Sequence, residues 1–436
     1  MENKKLYFIL AGGIVVVVLI IMVLVLRSIG PGNQQVSLEF WGVFDNPTTF
    51  EKIFRDYTAI NKNVKITYKQ FAFDTYEKNL IDALAAGTGP DVLMIHNTWL
   101  PKHKNKLKAL PATMSGQKKP LFTIQDIKDQ FVDVVEKDFV SNGQIYALPL
   151  YVDTLALYYN KDLFNTAGIS RPPQTWDDFN KDVEILTKLD ASANITQAGA
   201  AIGTARNINR STDILMDIMI QTGVPLADGT SSQVELSGNF GGVPAGANAL
   251  KYYTDFANPS THVYCWNDSL HYSIDAFSEG LAAMMFNYSH QVPVLKSKSS
   301  RLNYAVAPMP QASLGDIKNF ANYWGLAVPL GSSNSDEAWK FIAYVASKEG
   351  STSYLNESQR PSARRDLVDI QKDNPDISIF ANQSLTAKSW YQVNNNAIET
   401  IFAEMIDNVN YKTKTITDAL DDAESKINVL MSNTSR

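Results

Sequence analysis

Hydrophobic and polar residues recur with the periods of strands and helices from Val36 onward. The segments 36–42 (VSLEFWG) and 64–70 (VKITYKQ) alternate residue by residue, as half-buried strands do. Between them, 48–60 (TTFEKIFRDYTAI) repeats its apolar residues every three or four positions, which predicts an amphipathic helix. A second helical pattern ends at Gly87, and the apolar run DVLMI follows it as a buried strand. This alternation predicts an α/β sheet.

The middle of the chain continues with elements of both kinds. Helical patterns occupy 175–189, where Thr175 is a suitable N-cap, and also 211–221, 245–257 and 335–347. Strand patterns occupy GLAAMMFN, LNYAVAPMP and NYWGLAVPL, and the last ninety or so residues are mostly helical.

The first thirty residues follow a different pattern. Leu6–Leu26 is a run of 21 residues without a charge, close to the roughly 20 that a helix needs to cross a bilayer. Lys4 and Lys5 precede it and Arg27 follows, which favours a cytoplasmic N-terminus. A cleaved signal peptide is the alternative, but its apolar region is normally about 7–15 residues long and ends in small residues. We therefore predict an uncleaved transmembrane anchor and linker over residues 1–30.

Composition excludes several classes of protein. A length of 436 residues suggests two or three domains, at roughly 100–200 residues for each domain. The net charge of −6, without a long basic run, argues against nucleic acid as a partner. The single cysteine, Cys265, permits neither an intramolecular disulfide nor a cysteine-based zinc site, and it suits a small core position.

No sequence motif of a catalytic or metal centre is present. The chain lacks the patterns H-E-x-x-H, G-x-S-x-G and G-x-x-x-x-G-K-[ST]. Its five histidines do not pair at helical spacing, so we predict neither a metal nor a cofactor. Acids are numerous, but nothing selects the two that a glycosidase needs. The first candidates for a binding site are the loops 41–45 and 96–99, because ligands of open α/β sheets bind beyond the carboxyl ends of strands.

Several segments occur in an order typical of one family. They are AAGTGPDVLMI, GQIYALPLYVDTLALYYNKDLFNTAGI, RPPQTWDDF, FSEGLAAMMFN, YAVAPMP, YWGLAVPLGSSNSDEAWKFIAYVAS and RPSARRD. Together they resemble, over about residues 36–431, the extracellular solute-binding proteins, family 1. These are the substrate receptors of ABC sugar importers, including the maltose-binding protein type. The resemblance implies an α/β, two-lobed periplasmic-binding-protein-like (type II) fold with a hinge, preceded here by the N-terminal transmembrane helix.

The resemblance also implies how the chain is divided. The expected lobes are lobe 1 over 36–150 plus 310–355 and lobe 2 over 151–309 plus 356–436. The expected hinge crossovers lie near 147–154, 307–312 and 352–362.

The implied function is binding, not catalysis. The protein would capture a carbohydrate, a sugar or oligosaccharide, between its lobes and deliver it to the permease subunits of an ABC transporter. The binding domain would lie on the extracytoplasmic side of the cell membrane, held by the single-pass N-terminal helix. An extracellular glycoside hydrolase and the ligand-binding module of a sensor remain as alternatives.

The ligand-binding residues implied by the resemblance combine aromatic rings, which cover apolar sugar faces, with polar groups that bind hydroxyls. They are Trp41, Asp45, His96, Asn97, Tyr151, Asp153, Asn207, Asn287, Tyr288, Trp324 and Trp390. Arg206 and Arg210 fall where relatives vary most and are candidates for setting specificity. Tyr288 and Ser289 stand where relatives often carry Gly and Trp, so the chain departs from the family pattern there.

Asp153 is the acid with two interpretations. It lies inside the otherwise apolar or hydroxyl-bearing run LPLYVDTLALYYN, where relatives often carry an acid that faces the cleft. As a ligand residue, its carboxylate would accept hydrogen bonds from sugar hydroxyls. In the alternative, it fixes the crossover by accepting hydrogen bonds from backbone N–H groups.

Overall fold

The computed structural model describes residues 35–114, 118–227, 233–239 and 242–432. The predicted anchor over residues 1–30 lies outside this part of the chain. Among the described residues, no helix is both long enough and apolar enough to cross a membrane.

Strands and helices alternate through most of the described chain. The strands are β1 (Val36–Val43), β2 (Val64–Phe71), β3 (Val92–His96), β4 (Leu107–Lys108), β5 (Val140–Ser141), β6 (Gln144–Ile145), β7 (Ala147–Pro149), β8 (Asp153–Thr154), β9 (Ala156–Asn160), β10 (Lys188–Leu189), β11 (Ile195–Gln197), β12 (Met284–Asn287), β13 (Tyr304–Ala307), β14 (Asn319–Asn322), β15 (Trp324–Pro329) and β16 (Ala387–Lys388). The helices are α1 (Pro47–Ile60), α2 (Phe73–Ala86), α3 (Leu100–His103), α4 (Ile124–Gln130), α5 (Asp133–Phe139), α6 (Lys161–Thr166), α7 (Trp176–Leu186), α8 (Ser211–Gln221), α9 (Ala245–Asp255), α10 (Ser273–Ser278), α11 (Gln291–Lys298), α12 (Ser335–Ala346), α13 (Lys348–Ser358), α14 (Arg365–Gln371), α15 (Ser378–Ser384), α16 (Asn395–Asn410) and α17 (Ile416–Ser432).

Short-range sequence signals explain where several helices begin and end. Gly87 ends α2 with φ +70°, a left-handed conformation that glycine adopts without steric cost. The hydroxyl of Thr175 accepts the N–H of Asp178 and caps α7, as predicted. The side chain of Asn160 caps α6 in the same way, so that helix follows β9 directly.

The first sheet has the strand order β2-β1-β3-β15-β4, and β7 also pairs with β15. Strand β1 runs parallel to β2 and β3, with α1 and α2 as the connecting helices. Strand β3 is buried along its whole length, as expected of an interior parallel strand. Strand β15 pairs antiparallel with β3, which sets Trp324 beside His96 at the end of β3.

Two separate hydrophobic cores define two lobes. The core of lobe 1 is built by segments 38–152 and 321–367 together with Ala387. The core of lobe 2 is built by segments 155–309 and 380–431 together with Phe320, around the antiparallel sheet β12-β9-β13. Cys265 is fully buried in the second core, in the position predicted for a lone cysteine.

A three-stranded sheet joins the lobes where the chain passes between them. Strand β14 pairs antiparallel with β8 and parallel with β16, so each passage contributes one strand. The chain passes from lobe 2 back to lobe 1 between Phe320 and Ala321, later than the predicted hinge crossover at 307–312. The proline-rich segment there does end β13, but Gln311 remains hydrogen-bonded to Gln174 and holds the following loop on lobe 2. The third passage comes after Leu367, later than the expected 352–362.

Candidate functional site

A cavity of about 600 Å³ lies between the two lobes, above the sheet that joins them. Lobe 1 contributes the loop after β1, the first turns of α2 and the loop after β3. Lobe 2 contributes the first turns of α8 and α16 and the loop after β12. This volume lies within the range of about 300–1,000 Å³ that is usual for small-molecule sites.

The lobe 1 wall of the cavity is a cluster of aromatic rings. Phe44 stacks on Phe73 with 5.3 Å between ring centroids, and both meet the ring of Trp324 edge to face. Trp324 also meets Trp99 at 5.1 Å and His96 at 5.2 Å. Phe44 is 51% exposed, whereas Trp324 is 2% exposed, so the wall has an accessible surface on a buried base.

The backbone after β1 turns the ring of Phe44 towards the cavity. Phe44 has φ +64°, a left-handed conformation that is uncommon for a bulky residue. Its neighbour Asp45 fixes this turn, because its carboxylate accepts hydrogen bonds from Tyr354 Oη at 2.8 Å and from Arg360 Nη2 at 3.2 Å. The hydroxyl of Tyr68 donates to the Asp45 carbonyl at 2.9 Å. Asp45 therefore supports the wall from behind.

His96 lines the cavity as a neutral side chain. Its Nδ1 is hydrogen-bonded to Thr98 Oγ1 at 2.9 Å and its Nε2 to Asn322 Oδ1 at 3.2 Å. Burial lowers the pKa of His96 to about 4, although the contact with Asn322 acts in the opposite direction. At neutral pH the ring is therefore a hydrogen-bonding group without a charge.

Asp153 lies at the floor of the cavity and is already hydrogen-bonded there. Its carboxylate accepts bonds from Ser289 Oγ at 2.6 Å, from the Ser289 N–H at 3.0 Å and from the Thr154 N–H at 2.9 Å. Burial raises the pKa of Asp153 to about 6, against the lowering effects of Ser289 and of Arg360. Beside it, Tyr151 lies under the guanidinium of Arg360 at 4.4 Å. Asp153 therefore lines the cavity and also accepts hydrogen bonds from two backbone N–H groups, and its contact with a ligand stays a prediction.

The lobe 2 wall carries charges. The hydroxyl of Tyr288 donates to Asp213 Oδ2 at 2.8 Å, and the Tyr288 ring lies 5.4 Å from the guanidinium of Arg210. Burial raises the pKa of Asp213, although Arg210 lowers it. Glu399, from α16, lines the same wall, and burial together with the charge of Asp213 raises its pKa to about 7. His290 is uncharged at neutral pH because burial and Arg210 lower its pKa to about 3.

One side chain of lobe 2 reaches across to lobe 1. Asn395 Oδ1, at the start of α16, accepts hydrogen bonds from Thr98 Oγ1 at 2.7 Å and from Trp99 Nε1 at 3.1 Å. Asn394 caps the same helix by accepting the Ala397 N–H at 3.2 Å. Both donors to Asn395 and Asn395 itself line the cavity, so this contact bridges the lobes at the edge of the cavity.

The structure brings five of the predicted residues together at the cavity. They are His96, Tyr151, Asp153, Tyr288 and Trp324, and Arg210 joins them.

Three further predicted residues lie behind the walls of the cavity. Asp45 supports the turn at Phe44, as described above. Asn97 donates from Nδ2 to Asp138 Oδ2 at 3.1 Å, below the loop after β3. Trp390 is 2% exposed and its indole N–H faces the sulfur of Met216, which itself lines the cavity.

The remaining predicted residues contact other parts of the fold. Trp41 packs on Phe71 with ring centroids 4.5 Å apart and does not line the cavity. Asn207 donates to the carbonyls of Asn267 and Leu270 and holds their loop. Asn287 is fully buried and donates to Asn209 Oδ1 at 2.9 Å. Arg206 forms an exposed ion pair with Asp407.

Several lining residues were not selected from the sequence. Phe44 and Trp99 lie within the loops 41–45 and 96–99, which the strand order predicts as parts of the site. The sequence therefore predicts these loops, but it does not indicate which side chains within them line the cavity. Asp213 follows Arg210 in the first turn of a predicted helix, which is a weak signal. Glu399 carried no signal, because it occupies a polar position on a C-terminal helix and meets Arg210 only through the fold.

Two α/β lobes, a sheet joining them and a cavity between them define a two-lobed binding protein. Residues 41–352 match the family described as bacterial extracellular solute-binding protein, and the chain belongs to that family.

Individual relatives and structures agree with the family assignment. A putative binding protein of Brucella abortus is 24% identical over 344 residues, which cover 76% of this chain and 77% of that protein. The maltodextrin-binding protein of Bacillus subtilis is 27% identical, over 71% of this chain and 69% of its own. The cyclic α-maltosyl-1,6-maltose binding protein of Arthrobacter globiformis has the same fold, with a TM-score of 0.74, 19% identity and coverage of 91% and 99%.

Proposed function

We propose that this protein is the substrate-binding component of an ABC importer and that it captures a carbohydrate in the interlobe cavity. The observation that carries the proposal is the contrast between an aromatic wall and a charged wall across one cavity. A sugar has the matching chemistry, because its C–H faces pack on aromatic rings while its hydroxyls both donate and accept hydrogen bonds. The carbohydrates named for the relatives from Bacillus and Arthrobacter support the same ligand class.

The predicted residues at the cavity take distinct parts in this proposal. Trp324 forms the base of the aromatic platform, and Tyr151, Asp153 and Tyr288 bind hydroxyls from the floor and from lobe 2. His96 contributes a neutral hydrogen-bonding ring. Asp45, Asn97 and Trp390 act from behind the lining, whereas Trp41, Asn207 and Asn287 contact other parts of the fold and take no part at the cavity.

Binding to a panel of sugars tests the proposal. Neutral mono- and oligosaccharides, uronic acids, polyols and peptides are screened by thermal unfolding, and hits are measured by calorimetry. A ligand at 100 times its Kd stabilises the folded state by about 2.7 kcal/mol, which is easily detected. Arg206→Ala, outside the cavity, serves as the control and keeps the affinity of the wild type. A protein that binds peptides or polyols but no sugar contradicts the proposal.

Hydrolysis of the bound sugar is the second candidate, because two acids with raised pKa values, Asp213 and Glu399, line one wall. Glycosidases use one protonated and one ionised carboxyl group that flank the scissile bond. Long incubation with each bound oligosaccharide, followed by analysis for new reducing ends, separates the candidates. Intact ligand supports the binding protein, whereas shorter products that disappear in Glu399→Gln support the hydrolase.

The lobes close around the ligand in this proposal, by bending at the sheet of β8, β14 and β16. We propose that the lobes move as the two hydrophobic cores outline them, 38–152 plus 321–367 and 155–309 plus 380–431, which shifts the second and third boundaries of the expected division 36–150 plus 310–355 and 151–309 plus 356–436. Hinge closure of this kind is well known for binding proteins. Small-angle scattering should show a smaller radius of gyration with a tight ligand than without it.

The proposed location is the outer face of the cell membrane. The uncharged run Leu6–Leu26 supports a single-pass anchor, with lobes 1 and 2 on the extracytoplasmic side. Under alkaline carbonate washing the full protein should remain in the membrane fraction. Release of the protein, or a mature N-terminus near residue 31, would show that the run is removed.

A further inference from the structure

Arg210 is a partly buried cation whose guanidinium has no hydrogen-bond acceptor among the described residues. Its Nε is inaccessible to solvent and has no partner, and no hydrogen bond or ion pair from its guanidinium occurs within the described residues. Guanidinium groups in folded proteins normally satisfy their donors, so an unpaired one in a cavity wall points to a missing ligand atom. Its backbone has φ +67°, an uncommon conformation that tends to occur at functional sites.

The groups around Arg210 show which ligand atoms would suit it. Asp213 and Glu399 are the acids whose charges act on the guanidinium, and Tyr288 and Tyr272 are the other titratable groups that face it. One cation is thus flanked by two carboxyl groups that line the same cavity. Neither Asp213 nor Glu399 forms an ion pair with Arg210 within 4.0 Å among the described residues, so neither carboxyl group satisfies the guanidinium.

We propose that Arg210, Asp213 and Glu399 form a subsite that binds neighbouring hydroxyls of an uncharged sugar and discriminates against acidic sugars. This inference rests on the proposed carbohydrate function. A hydroxyl accepts from the guanidinium through its oxygen and donates its proton to a carboxylate, so two adjacent hydroxyls satisfy the whole set. A ligand carboxylate can accept from Arg210 but meets the like charges of Asp213, which is buried, and of Glu399, which is exposed to solvent.

Discrimination should depend on pH because Glu399 titrates near neutrality. Its side chain is accessible to solvent, and its pKa is raised to about 7 by desolvation against the cavity wall and by Asp213, with Arg210 acting in the opposite direction. Below this pH the carboxyl group is neutral and repels an anion less. The groups that also face this wall, His290 and Tyr288, stay uncharged between pH 5.5 and 8.5, because their pKa values are respectively lowered and raised by burial.

Matched pairs of sugars test the subsite by calorimetry. The probes are maltotriose, galactobiose and mannobiose, each compared with the same sugar oxidised at C6 to the carboxylate. At pH 8.5 the neutral member should bind at least about tenfold more tightly, and the difference should shrink at pH 5.5. A carboxylate form that binds as tightly as the neutral form at pH 8.5 overturns the inference. Failure of every neutral and acidic probe to bind overturns the proposed carbohydrate function instead.

Substitutions then identify the residues that cause the difference in affinity between neutral and acidic sugars. Arg210→Ala should lower the affinity for the neutral sugar by roughly 10- to 100-fold, because charge-assisted hydrogen bonds are lost. Glu399→Gln should show a smaller difference in affinity for the acidic sugar between pH 5.5 and 8.5 than the wild type, and the remaining difference is that of Asp153, whose pKa is about 6. The matched control is Glu404→Gln on the same helix, where Glu404 pairs with Lys426 outside the cavity. Unchanged affinity in Arg210→Ala, or an unchanged pH profile in Glu399→Gln, overturns the inference while the function stands.

Discussion

The two walls of the cavity are built by opposite means. On lobe 1 the rings of Phe44, Phe73, Trp99 and Trp324 contact one another, and the wall is continuous with the core of its lobe. On lobe 2 the wall consists of Arg210, Asp213 and Glu399 at the first turns of two helices, and its donors and acceptors are incompletely paired. In the proposed function, apolar contact with the sugar comes from rings that are packed into the core of lobe 1, whereas polar contact comes from groups of lobe 2 whose hydrogen bonds the ligand would complete.

This difference separates stability from specificity. Buried rings contribute to the free energy of unfolding whether or not a ligand is present. Unpaired buried polar groups destabilise the empty protein and favour the complex, because the ligand supplies the missing partners. Changes in the lobe 1 wall should therefore alter both stability and affinity, and changes in the lobe 2 wall mainly affinity.

The largest expected effect is that of Trp324→Ala. The side chain is 2% exposed and contacts rings on several sides, so its removal leaves a cavity and should lower the free energy of unfolding by about 3–5 kcal/mol. Urea unfolding without ligand measures this. Arg210→Ala is the comparison from the other wall and should change the same quantity much less. Equal losses in the two variants would show that the walls do not differ as described.

Asp153→Asn tests the floor where the walls meet. The pKa of Asp153 in the folded protein is about 6, above its ordinary value of 3.8, so the folded state binds the proton more tightly than the unfolded state. Asp153 therefore contributes stability at low pH, and this contribution is lost as pH rises from about 4 through 6, by about 3 kcal/mol in total. The Asp153→Asn variant has no carboxyl group at this position, so its unfolding free energy does not decrease in this way as pH rises.

The measurement is the difference in unfolding free energy between wild type and Asp153→Asn as a function of pH. We expect the advantage of the wild type to shrink between pH 4 and pH 7. Asp138, whose pKa burial also raises to about 6, is present in both proteins and cancels in the difference. Curves that remain parallel would show that the charge of Asp153 is no less favourable in the folded protein than in the unfolded chain.

Sequence patterns anticipated the frame of the site better than its side chains. The position of the loop 41–45 follows from a buried strand and the α/β order. The choice between Trp41 and Phe44 does not, because it depends on a left-handed turn held by Tyr354 and Arg360 from far along the chain. The family resemblance anticipated the two lobes. It did not anticipate that the charges of Glu399 and Arg210 act on each other across the cavity wall, because the two residues are 189 positions apart in the sequence.

A smaller effect should follow from cutting the bridge between the walls. Asn395→Ala removes the acceptor shared by Thr98 and Trp99, and one net hydrogen bond contributes about 0.5–1.5 kcal/mol. Scattering should show a more open empty protein, and ligand affinity should fall by a similar free energy. Asn395→Asp keeps the acceptor and should restore both. Asn396→Ala, a cavity residue without this contact, is the control, and equal effects in the two alanine variants would contradict a specific bridge.

Phe44→Gly should have the smallest effect. It also separates the unfolding free energy from the sugar affinity most clearly. The half-exposed ring contributes little to folding, and the left-handed backbone at φ +64° destabilises a non-glycine residue by roughly 1–2 kcal/mol. Glycine relieves this strain but increases the entropy of the unfolded chain by a comparable amount, about 0.5–1 kcal/mol. Unfolding free energy should therefore change little, while sugar affinity falls by about 0.5–1.5 kcal/mol through the lost ring contact. Phe44→Ala loses the same ring, keeps the strain and adds no glycine entropy to the unfolded chain, so it should resemble the glycine variant both in sugar affinity and in unfolding free energy. If both variants keep the affinity of the wild type, the exposed part of the aromatic wall does not contact the ligand, and recognition on lobe 1 begins at Trp324.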